Sequence, residues 1–134
     1  YHEMHRYDIS TNAWENVVLT PMPLLSSYTG KTRKTKEGCA ALVGDAVYTF
    51  KAANTQEFWQ YTVEPDSWAE LETIPSFGPA MRKKRVKAGC DLLGYNGLVY
   101  ALKGNKSSEL WYYNPLAPGD YYYPLAKESV DSAP

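Results

Sequence analysis

Nine of the fourteen basic residues of this chain fall in two short runs that hold no acidic residue. Lys31, Arg33, Lys34 and Lys36 form the first run; Arg82, Lys83, Lys84, Arg85 and Lys87 form the second. Elsewhere, five basic residues face fifteen acidic ones. Ammonium and guanidinium groups gathered in this way attract phosphate, sulfate or carboxylate groups by charge alone. The plain alternative is a pair of solvated loops. Candidates for bond-making chemistry are sparser. His2-Glu3-Met4-His5 lacks the spacing of the helical two-histidine zinc motif, reads as strand, and has no third ligand in view. Asn105-Lys106-Ser107 fits the short N-glycosylation acceptor pattern. No catalytic residue, metal or cofactor is assigned.

The residues that must position these charges repeat along the chain. Glu3-Met4-His5-Arg6-Tyr7, Glu57-Phe58-Trp59-Gln60-Tyr61 and Glu109-Leu110-Trp111-Tyr112-Tyr113 are spaced 54 and 52 residues apart. Trp14 follows Tyr7 by seven residues, as Trp68 follows Tyr61. Lys36-Glu37-Gly38-Cys39 recurs as Lys87-Ala88-Gly89-Cys90, and Tyr48-Thr49-Phe50-Lys51 as Tyr100-Ala101-Leu102-Lys103. Self-similarity at about 50 residues is the mark of a repeat architecture.

Within residues 36–75, four short apolar or alternating runs are separated by Gly44-Asp45, by Ala53-Asn54-Thr55-Gln56 and by Pro65-Asp66, and Pro75 stops the last. This spacing predicts four antiparallel strands and no helix. Residues 87–124 predict the same four, with a turn at Gly94-Tyr95-Asn96-Gly97 that is longer than its counterpart. Residues 1–20 supply only the last two strands of a unit. Residues 21–35 and 76–86 are basic connections, and residues 125–134 a polar tail. The fold class expected is all-β.

A chain of 134 residues with 44% hydrophobic and 14% aromatic content can bury a core. A formal charge of −1 argues neither for a nucleic-acid binder nor for a disordered acidic tail, so nucleic acid is not the partner expected, and no run is long and apolar enough for a membrane helix. The start at Tyr1 rather than Met is what a processed, trimmed or excised piece would show. Cys39 and Cys90 each follow glycine and sit among small apolar residues, the setting of buried thiols. A bridge needs Cα atoms within about 7 Å, closer than equivalent points of neighbouring repeats usually come, so both are expected to be reduced.

The pattern of Gly before small apolar residues, Val47-Tyr48-Thr49-Phe50, a third strand ending in Tyr, and Trp seven residues on resembles the kelch repeat from about Met4 to Tyr123. Lys51-Ala52 and Lys103-Gly104 depart from the Gly-Gly that commonly ends the family's second strand. The resemblance implies a partial kelch-type β-propeller of about two and a half four-stranded blades, more like prokaryotic surface or secreted proteins than intracellular adaptors. Two and a half blades cannot close a ring, so the expected neighbours are the rest of a longer propeller or other copies of the chain. Trp14 and Trp68 are expected to pack between blades, and the cysteines to superpose on one another. Trp59 and Trp111, matched by His5 in the first copy, are candidates for a partly exposed aromatic binding surface.

The function expected is a non-enzymatic binding or scaffold module for a protein, glycan or polyanion, extracellular or at the cell surface. The alternatives are a carbohydrate-active or oxidase propeller whose catalytic residues lie in other blades, and an intracellular, cytoplasmic kelch adaptor.

Overall fold

The computed structural model describes residues 3–78 and 81–117 and the backbone of 121–122. His2, Pro79, Ala80 and the stretch from Tyr123 through the expected polar tail lie outside the described residues. The fold is all-β. Strands β1 (Tyr7–Asp8) and β2 (Ala13–Trp14) form a two-stranded hairpin. Strands β3 (Cys39–Val43), β4 (Ala46–Phe50), β5 (Phe58–Thr62) and β6 (Ser67–Leu71) make one four-stranded antiparallel sheet in the order β3-β4-β5-β6. Strands β7 (Asp91–Tyr95), β8 (Leu98–Leu102), β9 (Leu110–Tyr113) and β10 (Tyr121–Tyr122) make a second, ordered β10-β9-β8-β7.

Register shows why these segments pair. Cys39 faces Phe50 and Asp91 faces Leu102, so the two sheets correspond at a constant spacing of 52 residues. Cys90 is therefore the counterpart of Gly38, and Cys39 of Asp91, which corrects the expected superposition of the cysteines. The two inner hairpins also have turns of equal length, Gly44-Asp45 and Asn96-Gly97. Positive φ at Asn96 (51°) and Gly97 (76°) gives the second a turn suited to twisted strands. Gly94 and Tyr95 belong to β7 rather than to a longer turn. A glycine inside a strand often marks a close backbone approach, and here it does. A Cβ on Gly94 would stand 2.5 Å from the Leu42 carbonyl oxygen and 2.7 Å from Val43 Cγ2. β7 runs beside β3 at this point, and the sheets meet most closely along these first strands. Gly94→Ala should push them apart and cost about 1–3 kcal/mol, measurable by urea unfolding; unchanged stability would mean that β7 can slide away from β3 freely.

The core lies between opposite faces of the two sheets. Alternation along β4 and β5 places Tyr48, Phe50 and Phe58 on one face; along β8 and β9 it places Val99, Ala101, Trp111 and Tyr113 on another. All seven are buried and belong to one cluster. The Phe58 ring meets Tyr113 edge-on at 5.1 Å, and Tyr113 lies 6.3 Å from Tyr48. Sheet-to-sheet contact thus uses non-equivalent faces of equivalent units. The face of the second sheet that corresponds to Tyr48 and Phe50 carries Leu93, Tyr95 and Leu102, all exposed.

The seven-residue Tyr-to-Trp step is a hairpin rule. Tyr7 faces Trp14 and Tyr61 faces Trp68 directly across their strand pairs, with rings 5.2 and 4.9 Å apart. Each Tyr hydroxyl donates to a positive-φ residue five positions on, Asn12 or Asp66. The expected packing of tryptophan between sheets is not what occurs at Trp14, which is 65% exposed and rests on Tyr7. Trp68 is half-buried; its indole N–H donates to the Thr20 carbonyl at 2.7 Å. Thr20 in turn donates to the Asp66 carboxylate through its N–H and hydroxyl at 3.0–3.2 Å. Tyr61 and Thr20 together hold Asp66 below the usual carboxylate range. This cluster fastens the N-terminal segment to the outer edge of the first sheet.

Candidate anion-binding groove

Two anchors repeated at 52 residues hold the basic connections in place. The first is a buried triad. Lys51 Nζ lies 2.7 Å from Glu57 Oε1, with both side chains 1% exposed, and Lys103 Nζ lies 2.6 Å from Glu109 Oε1. Trp59 and Trp111 donate their indole N–H to the same carboxylate oxygens at 3.1 and 3.0 Å, and each lysine stands over the ring of its tryptophan. Each lysine also donates to the connection entering its sheet. Lys51 reaches the carbonyls of Pro23 (2.8 Å) and Leu24 (3.1 Å), and Lys103 reaches that of Pro75 (2.6 Å). A buried ammonium is tolerated only with such a complement of partners.

The second anchor is a left-handed turn after the second strand of each sheet. Ala52, Ala53 and Asn54 all have φ between 51° and 60°, and Gly104, Asn105 and Lys106 between 52° and 72°. Three successive left-handed residues point their amides outward instead of along the sheet. Ala53 N–H donates to Lys36, Asn54 N–H to Val86, and Asn105 N–H to Ala88. The Asn105 amide adds a bond to the Arg85 carbonyl at 3.0 Å. Left-handed backbone is unfavourable for alanine, by roughly 1–2 kcal/mol per residue in helical runs, and it persists because these bonds fix the connections.

The result is a groove of about 810 Å³ between the two connections and the two turns. Arg33, Lys34, Lys36, Lys87 and Lys106 line it, with Glu37 as the sole acidic lining residue. Thr32, Thr35, Asn54 and Asn105 add neutral polar groups. None of the five cations takes part in an ion pair among the described residues, whose lysine and arginine pairs are those of Arg6, Lys51 and Lys103. Arg33, Lys34, Lys36 and Lys87 are exposed to solvent, so their charge is free for a ligand.

The basic residues picked out from sequence divide accordingly. Arg33, Lys34, Lys36 and Lys87 come together. Lys31, Arg82, Lys83, Lys84 and Arg85 do not line the groove: Lys31 closes a loop on Ser26, and Lys83 and Lys84 pair with Phe77 and Ser76 in a hairpin-like connection. Trp59 and Trp111 form no exposed aromatic surface, being 3% and 8% exposed with their N–H groups committed to Glu57 and Glu109. Lys106 was named only within the glycosylation pattern; its equivalence to Asn54, next in sequence to the Ala53 that bonds Lys36, was the signal that could have placed it in the groove. Asn105, the residue of the glycosylation pattern, is half-buried with its amide nitrogen bonded to Arg85.

The cysteines lie closer together and are less buried than expected. Both are half-buried free thiols, and their Sγ atoms lie 3.0 Å apart. Because Cys90 precedes β7 while Cys39 opens β3, the one-residue phase difference brings non-equivalent positions together across the inter-sheet boundary.

No protein-family model matches this chain, and no curated protein matches it in sequence. No helix among the described residues is long and apolar enough to cross a membrane.

Proposed function

We propose that the chain is a non-enzymatic binding module that recognises a polyanion through the groove between its two basic connections. One observation carries this: five cations and one carboxylate line the groove, and none of the cations is neutralised by an ion pair among the described residues. Unpaired cations converging on a concavity focus positive potential there. The threonine and asparagine side chains suit sulfate or carboxylate oxygens. The ligand class is a chain bearing repeated sulfate or carboxylate groups, such as a sulfated glycan or an acidic protein segment.

We read the two sheets as adjacent blades of a kelch-type propeller belonging to a surface or secreted protein. Support comes from their meander order, from their closest approach along the first strands, and from triads and left-handed turns repeating at 52 residues. On this reading the groove opens between neighbouring blades.

Changing Arg33, Lys34, Lys36 and Lys87 together to glutamine should weaken binding of heparin or polyglutamate by about 100-fold or more in 50 mM salt. The melting temperature should hardly move, since exposed charges contribute little to folding. Changing Lys31, Arg82 and Lys83 instead should have a much smaller effect on affinity. Heparin bound well and polyglutamate poorly would assign the partner as a glycan, and the reverse order an acidic protein. Equal losses in the two variants would return the basic runs to solvated loops.

A further inference from the structure

We propose that Cys39 and Cys90 form a reversible dithiol–disulfide couple that staples the two sheets together and is oxidised by a low-molecular-weight disulfide such as oxidised glutathione. The two sulfur atoms are already inside van der Waals contact at 3.0 Å and need to close by only about 1 Å to bond. They come from different sheets, at the start of β3 and immediately before β7, where the sheets lie closest. Both are partly open to solvent, so a small disulfide can reach them.

Their environment divides the labour. The hydrogen bond between the thiols, reinforced by burial, pushes Cys39 far above the ordinary thiol range, and the same hydrogen bond lowers Cys90. Cys90 is therefore the first to ionise, its thiolate accepting the Cys39 S–H. The Cys90 thiolate attacks one sulfur of oxidised glutathione, forming a mixed disulfide and releasing one glutathione thiolate. Cys39 then loses its proton to solvent and attacks Cys90 Sγ, closing the Cys39–Cys90 bond and releasing the second glutathione thiolate. Two electrons pass from the protein dithiol to glutathione, and the two thiol protons leave the protein. The bond closes a loop of about 50 residues, long enough for a substantial effect on the unfolded chain.

The test equilibrates the full chain in buffers from fully reduced to fully oxidised glutathione, quenches with acid, labels free thiols and weighs the intact protein. The expected product is lighter by two hydrogens, carries no label, and yields a linked Cys39–Cys90 peptide on non-reducing digestion. Its melting temperature should rise by on the order of 10 °C. Cys39→Ser should stop at a single glutathione on Cys90. Wild-type protein that stays folded yet keeps two free thiols in the most oxidising buffer would overturn the proposal. So would glutathione on either cysteine with no linked peptide, or a linked peptide formed only in denaturant. The wild-type measurement decides the matter whether or not the serine variant folds.

Discussion

Replacing Glu57 by alanine should remove about 3–5 kcal/mol of stability, as expected when one member of a buried ion pair is lost. The carboxylate is 1% exposed and serves two donors, Lys51 Nζ and Trp59 Nε1. Its removal strands an ammonium that retains only carbonyls and an indole face, and leaves a buried N–H without its acceptor. Lys51→Met should also destabilise. The Lys51→Met, Glu57→Leu double variant should lose much less than the sum of Lys51→Met alone and Glu57→Leu alone, because an apolar pair of similar volume removes the desolvation cost from both partners. Some loss should persist, since Lys51 also holds the Pro23 and Leu24 carbonyls. Urea unfolding of the four proteins supplies the cycle. A Glu57→Ala loss below about 1 kcal/mol would show that water enters the site and that the triad is no anchor.

Phe58→Ala should be as damaging, by about 3–5 kcal/mol, through cavity formation instead of charge. Phe58 is 1% exposed and touches the Phe50 and Tyr48 rings on its own sheet and the Tyr113 ring of the other. It is one of the residues through which the sheets recognise each other, so its loss should also make β7–β9 exchange their amide hydrogens faster. A variant with near-native stability and unchanged exchange in β7–β9 would contradict the view that one core spans both sheets.

Strand positions were legible because Val47 to Phe50, Phe58 to Thr62 and their counterparts carry β-branched and aromatic residues between Gly, Asn and Pro breaks. The turn before Leu98 was not, because glycine usually signals a break. Gly94 is instead a strand residue made small by the Leu42 carbonyl. The cysteines were misplaced by counting from the Lys-x-Gly-Cys likeness, which is one residue out of phase with the backbone register. Trp59 and Trp111 could not be placed from their type alone. What buries them is a carboxylate two residues earlier and a lysine across a loop, a link visible only once β4 and β5 are paired. Half of the groove was legible in the two basic runs. The other half, Asn54, Asn105 and Lys106, sits on left-handed turns whose sequences, Ala-Ala-Asn and Gly-Asn-Lys, have little in common.

The most direct measurement is the dissociation constant for heparin, titrated from 50 to 200 mM salt on the wild-type chain. With about four cations engaged, affinity should fall by on the order of 100-fold across that range, and the slope of log affinity against log salt should flatten when Arg33, Lys34, Lys36 and Lys87 become glutamine. Binding that ignores salt, or a slope that the four substitutions leave unchanged, would contradict anion recognition by the groove.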